Sequence, residues 1–285
     1  MHVTILDNNH REEVNHFLRK DTKFNMFMLS NIKKGGLEYK GKTYQAEYVG
    51  MFDSKFNLLG VLSHAWNGII LLQCNNLDYL ETLTKYFIQN VKRKINGIIG
   101  ADEQAEFLRS RLEFLNKEYH ANRCEDLFSL KINNLIKPKT SLYKDVKLQP
   151  ISDMDTKLLY KWCCEYEKEA LNIRDKEIIN KNVNSFIEQP DLEQNYFVLF
   201  HDGQPVSMCG VNARHQNYAQ IGGVYTPKEF RNQGFARWAI YLLLQELKKQ
   251  KIDNVILFTS NPLANRAYTN IGFSCVGVLR LIFFK

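Results

Sequence analysis

Six residues, Arg231-Asn232-Gln233-Gly234-Phe235-Ala236, constrain the fold of this chain more than any other segment. They follow a branched and aromatic stretch, Tyr218 to Tyr225, that reads as a strand, and a turn through Pro227. They lead into Gly234 to Lys249, where apolar residues recur at helical spacing. Gly234 permits close approach of the backbone, and Ala236 keeps the first helical turn uncrowded. The free N–H groups at such a helix start, together with the helix dipole, favour an anion, and a diphosphate suits them. Tested against this same stretch, two other phosphate cradles fail: neither G-x-x-x-x-G-K-[ST] nor G-x-G-x-x-G is present in it.

The elements around this loop alternate. Val146 to Ile151 reads as a strand, Asp153 to Lys168 as a helix capped by Ser152 or Asp153, and Asp175 to Gln189 as a helix ended by Pro190. Asn195 to Phe200 and Pro205 to Val211 flank the turn His201-Asp202-Gly203-Gln204 as a hairpin. Beyond the long helix come a strand at Asn254 to Phe258, a short helix at Leu263 to Thr269 and a closing strand or hairpin from Phe273 to Phe284.

Toward the N-terminus, helical patterns cover Arg11 to Lys20, Asn25 to Ile32, Leu77 to Lys92 and Asp102 to Asn116. Strand patterns cover Tyr44 to Phe52, Asn57 to Ala65, Gly68 to Gln73 and Ile95 to Gly100. A chain of 285 residues is long enough for two modest domains. The polar, proline-bearing run 136–145 reads as the linker between 1–135 and 146–285. No repeat is visible at the sequence level.

The second signature is Asn261-Pro262-Leu263-Ala264-Asn265-Arg266-Ala267-Tyr268-Thr269-Asn270-Ile271-Gly272-Phe273. With the loop at Arg231 to Ala236, and with a helix and a strand between the two, residues 146–285 resemble the GNAT superfamily of N-acetyltransferases. That family carries a Q/R-x-x-G-x-G/A loop between its fourth strand and third helix, and then a short helix of the form N-x-x-x-N-x-x-Y-x-x-x-G-F. The resemblance implies an α/β (α+β) fold with a mixed, mostly antiparallel sheet flanked by helices. Residues 1–135 resemble the family less specifically, as a degenerate second copy would, which makes two tandem domains.

Residue by residue, the resemblance implies that backbone groups of Val224, Tyr225 and Thr226 bind the pantetheine arm of acetyl-CoA as an added strand. The Gly222-Gly223 pair suits a bulge that opens the slot. The amide of Val224 would hold the oxyanion formed at the thioester. Amides of Asn232, Gln233, Gly234, Phe235 and Ala236, with Arg231 starting the loop, would hold the diphosphate. Tyr268 stands where the family places the general acid that protonates the departing thiolate, and a phenol with a pKa of about 10 is a credible donor to it. Asn261 and Asn265 precede Tyr268 by seven and three residues, near one face of the same helix. Asn261 has the alternative role of helix N-cap, and Tyr268 that of a core tyrosine.

The implied reaction is acetyl transfer to a primary amine of a small molecule or peptide, and the base for it is not evident. No acidic residue lies between Gln216 and Thr226. Glu165, Glu167, a water chain and His215 are candidates, with His215 read as a solvent-facing hairpin residue. The missing strand carboxylate also admits a non-catalytic acyl-CoA-binding module.

A net charge of +7 invites a nucleic-acid partner, but the lysines are spread along the chain instead of forming one stripe, so the expected anion is coenzyme A. Six scattered cysteines form no C-x-x-C pair, so neither a metal site nor a disulfide framework is expected. No stretch approaches the roughly 20 apolar residues of a membrane span. Neither does Met1 to Asp7 read as a secretory start, so a soluble cytoplasmic protein is expected.

Overall fold

The apolar periods close into two separately packed units, Met1–Leu127 with Val276–Lys285, and Phe128–Cys275. The computed structural model describes residues 1–112, 118–139 and 146–285.

The first unit runs β1 (His2–Leu6), α1 (Arg11–Arg19), α2 (Thr22–Gly35), β2 (Ala46–Phe52), β3 (Leu58–Ala65), β4 (Ile69–Cys74), α3 (Leu77–Asn90), β5 (Gly97–Ala101), α4 (Asp102–Leu112) and β6 (Tyr119–Lys131). β1 to β4 pair antiparallel in sequence, whereas β5 lies parallel to β4 because α3 carries the chain back across. One core packs Leu18, Leu29 and Ile32 of α1 and α2 on Tyr48 and Val61. The other packs Leu83 and Phe87 of α3 on Val49, Leu62 and Ile98.

The second unit runs β7 (Val146–Pro150), α5 (Thr156–Glu169), α6 (Lys176–Ile187), a short α7 (Leu192–Asn195), β8 (Tyr196–His201), β9 (Gln204–His215), β10 (Tyr218–Tyr225), α8 (Phe235–Lys249), β11 (Asn254–Thr259), α9 (Pro262–Thr269) and β12 (Ser274–Phe284). β7 to β10 pair antiparallel and β11 lies parallel to β10. Apart from α7, the order β-α-α-β-β-β-α-β-α-β is that of the first unit. The chain is therefore a mixed, mostly antiparallel α/β fold built twice on one plan. The cap of α5 is Asp155, which accepts from the Leu158 amide at 2.9 Å, two or three residues beyond the caps read from sequence.

The division into units departs from the sequence reading in two places. β6 belongs to the second unit from Phe128 onward, and β12 belongs to the first from Val276 onward. Phe128, Leu130 and Ile132 enter the core around Trp238, Leu244 and Tyr268, and Ile282 and Phe284 enter the core around Leu72 and Phe87. Burial decides unit membership here, and the polar composition of 136–145 marks only a connection. Residues 140–145 of that run, and 113–116 of the helix read over Asp102 to Asn116, lie outside the described residues. β1 and β6 carry no period that the sequence reading recognised. β1 has one fully buried side chain, and the buried pattern of β6 changes at Leu127, where the strand changes cores.

His64 of β3 has a fully buried side chain. Its Nε2 is 3.2 Å from the Lys94 carbonyl and its Nδ1 is 3.8 Å from Glu47, whose carboxylate takes the Arg93 Nε–H at 2.7 Å. Burial, and then the charge of Arg93, push its pKa down to about 4. The unfolded chain binds a proton below about pH 6.5 that the folded chain refuses until about pH 4. Stability due to this group is therefore intact at neutral pH and falls by about 2 kcal/mol between pH 7 and pH 5. Denaturant unfolding at several pH values is expected to show that fall, and His64→Gln a flatter profile. An identical slope in the variant would remove His64 as its source.

Candidate active site

Two breaks in strand pairing make an opening along β10. Its parallel pairing with β11 ends at Gln220↔Ile256, although both strands continue. Against β9 the register jumps from Gly222↔Gly210 to Tyr225↔Met208, three residues on one strand for two on the other. That bulge lies where the glycine pair suggested it. Gly223 has φ +59, and a Cβ there would lie 2.8 Å from the Tyr196 ring, so another residue would strain both the backbone and the packing. Ser207, fully buried on β9, fixes the end of the opened strand: its hydroxyl donates to the Tyr225 carbonyl at 3.0 Å and lies 2.9 Å from Thr226 Oγ1.

Beyond Pro227 the chain turns through a short 3-10 helix, Lys228–Phe230, into the loop. Asn232 and Gly234 both have positive φ, +63 and +90, and these two reversals feed the start of α8. Gly234 is the N-cap of α8 and provides no side-chain cap. By contrast, Asn76 caps α3 and Asn261 caps α9, each accepting an amide at 2.9 Å. The start of α8 thus carries no side-chain cap and keeps its share of the helix dipole.

The unpaired edge of β10, the loop and α9 line one cavity of about 440 Å³. It collects Val224, Tyr225, Thr226, Arg231, Asn232, Gly234, Phe235, Ala236, Asn261 and Tyr268 from positions 44 residues apart in sequence. Gln233 and Asn265 are not in the lining. Gln233 turns its amide to the Glu229 carbonyl at 3.1 Å. Asn265 is on the rear of α9: at about 100° per residue the lining face is centred on Ala264 and Ala267, a third of a turn or more away. Tyr268 is 7% exposed and packs edge-on to Phe128, so it is a core tyrosine whose surface also reaches the cavity.

The other lining residues were not read from the sequence. Glu169, at the end of α5, accepts from Arg231 Nη2 at 2.5 Å and has Lys228 Nζ at 3.5 Å. Burial pushes its carboxyl up, but the Arg231 hydrogen bond and the charges of Arg231 and Lys228 outweigh this and hold it below the usual range. Arg237 and Arg266 are further cations in the lining. Arg237 was within reach of a sequence reading as the third residue of the helix, whereas Glu169 reaches the site only by folding.

The structure separates the candidates for the base. His215 is buried at 7% exposure, paired with Tyr218 at the far end of β10 from Val224, so it is neither solvent-facing nor in the cavity lining. Strand alternation turns it inward at the hairpin. Glu167 points to α6, where Asn182 donates to it at 2.8 Å, and burial raises its pKa. Glu165 is not in the lining either, but it touches a residue that is: the Tyr225 hydroxyl donates to its Oε2 at 2.8 Å, and burial together with this carboxylate pushes the phenol pKa above its ordinary value.

Residues 157–273 match the acetyltransferase (GNAT) family. This half of the chain is a GNAT-family domain. Among curated proteins no sequence matches. Solved structures similar over nearly all of the chain share its fold at low identity. One is a protein from the fruit fly Drosophila (10% identity, TM-score 0.64, 99% of this chain and 98% of that one). A GCN5-related N-acetyltransferase from Sphaerobacter thermophilus has 12% identity and a TM-score of 0.54, covering 99% and 94%. A tandem GNAT protein of the clavulanic acid biosynthesis pathway has 10% identity and a TM-score of 0.52, covering 99% and 97%. The repeated plan of the two units agrees with that last likeness. In the GNAT domain the bulge and loop coincide. In the first unit β3 and β4 stay in register from Gly60↔Cys74 to His64↔Ile70, and only Asn75 and Asn76 separate β4 from α3. Among the described residues no helix is long and apolar enough to cross a membrane.

Proposed function

We propose that the GNAT domain moves an acetyl group from acetyl-CoA to a primary amine of a small molecule or peptide, by direct attack in a ternary complex in the cytoplasm. The observation that carries this reading is the uncapped start of α8, which faces a cavity also lined by the unpaired edge of β10 and by Tyr268. The residues suit such a donor: amides at Asn232 to Ala236 for two negative phosphates, and an open strand edge for the amide-bearing arm. Acetyl-CoA supplies the activated acyl group. The Val224 amide polarises the acyl carbonyl, and the Tyr268 hydroxyl protonates the sulfur that leaves. Glu165, beside Tyr225, takes the proton that an acceptor ammonium must lose before it attacks.

Tyr268→Phe tests the assignment, because it removes the proton donor and keeps the ring in its packing. Turnover with an amine panel, followed by thiol release, is expected to fall by about 10²-fold, with the dissociation constant for CoA unchanged. Unchanged turnover would overturn the role of Tyr268. A wild-type protein that binds acetyl-CoA and acetylates nothing in the panel would favour the acyl-CoA-binding module, the reading supported by the absence of a carboxylate from β10. The first unit, with a two-residue connector and a side-chain-capped α3, is expected to add no second site. Titration calorimetry should give one CoA per chain, and two would refute this.

A further inference from the structure

The cation that the motif offers to a diphosphate is already engaged. Arg231 Nε donates to the Thr226 carbonyl at 2.8 Å, and Nη2 donates to Glu169 at 2.5 Å. A phosphate brought to this guanidinium would meet the Glu169 carboxylate in the same place. Arg237 and Arg266 also line the cavity, and among the described residues neither pairs with a carboxylate, whereas Lys228 and Arg231 both meet Glu169.

We propose that Arg231 is a positioning residue and not a phosphate ligand: it ties the loop to the end of α5 through Glu169, and Arg237 and Arg266 meet the negative charge of the ligand. The geometry explains why a planar, forked cation is used. One edge of the guanidinium takes the carbonyl at the end of β10 and the other takes a carboxylate on α5, so a single side chain fixes three segments. The two positive φ values at Asn232 and Gly234 aim the loop amides, and the anchor just before them limits their motion. Because Glu169 is the last residue of α5, the strut also joins the donor loop to the connection between α5 and α6, so the two should order together.

The inference rests on the acetyl-CoA reading, and two measurements separate their failures. The first is amide hydrogen exchange of the ligand-free protein. Glu169→Gln and Arg231→Gln should each speed exchange at Asn232 to Ala236, and the double variant should be no faster than either single one. Unchanged exchange overturns the strut whatever CoA does. The second is calorimetry with CoA over a range of potassium chloride concentrations. Glu169→Gln and Arg231→Gln should each weaken binding about tenfold with the salt dependence kept, whereas Arg237→Gln and Arg266→Gln should weaken binding and flatten it. If Glu169→Gln tightens binding, Arg231 is a phosphate ligand held back by Glu169, and the proposal is wrong. A wild-type protein that shows no heat with CoA removes the acetyl-CoA reading and the ligand half of this proposal, while the exchange result still judges the strut.

Discussion

A chain that stops at Cys275 should lose the folded first unit, although the residues removed follow the GNAT domain in sequence. Val276 to Lys285 supply the strand that pairs with β5 from Leu279↔Ala101 to Phe283↔Gly97. Leu279, Leu281, Ile282 and Phe284 are each less than 10% exposed. At about 2 kcal/mol for each buried side chain, their loss removes about 8 kcal/mol, comparable with the roughly 5–15 kcal/mol that holds a whole domain. Polar anchoring goes too. Arg280 donates to Asp102 at 2.6 Å and to Asn122 at 3.0 Å, and the Phe284 amide donates to the Asn96 carbonyl at 2.9 Å. Exchange protection should vanish across β2 to β5 in the truncated chain. Protection equal to that of the full chain would show that the strand is dispensable. Arg280→Ala, which leaves the strand in place, should cost far less.

That dependence was invisible in the sequence, and the reason is physical. Phe273 to Phe284 reads as a closing strand or hairpin from its own residues, but which core a strand enters depends on partners such as Leu72 and Phe87, about 200 residues away. Elements with local signals were legible: β9, β10 and α8 follow from alternation, the turn at Asp202-Gly203 and a long helical period. The loop was legible because its chemistry is that of the backbone. Gly234 signals close backbone approach by residue type, and amides need no side-chain signature; the positive φ of Asn232 came only with the structure. Glu169 was missed because it meets Arg231 across 62 residues, and nothing local to α5 marks it out from Glu165 or Glu167. His215 was misread because a polar residue beside a turn suggests exposure, while the inward side of a strand can bury it.

Gly234→Asp should abolish CoA binding and leave the fold nearly intact, which makes it the sharpest test of the site. A carboxylate at this position would sit at the start of α8, beside the amides offered to the ligand. It would also put a charge of the wrong sign beside the diphosphate. Two like charges about 4 Å apart repel by about 4 kcal/mol near a protein surface, so a loss of at least about 100-fold in affinity is expected. The backbone cost is small. A non-glycine residue at φ +90 costs about 1–2 kcal/mol, so the melting temperature should fall by only a few degrees. Gly234→Ala separates charge from strain: its Cβ would lie 3.1 Å from Arg237 Nη2, the end of a flexible side chain that can shift, so CoA binding should weaken only a few-fold. If the Asp variant binds CoA as the Ala variant does, the phosphates lie elsewhere, and the start of α8 is an ordinary helix end.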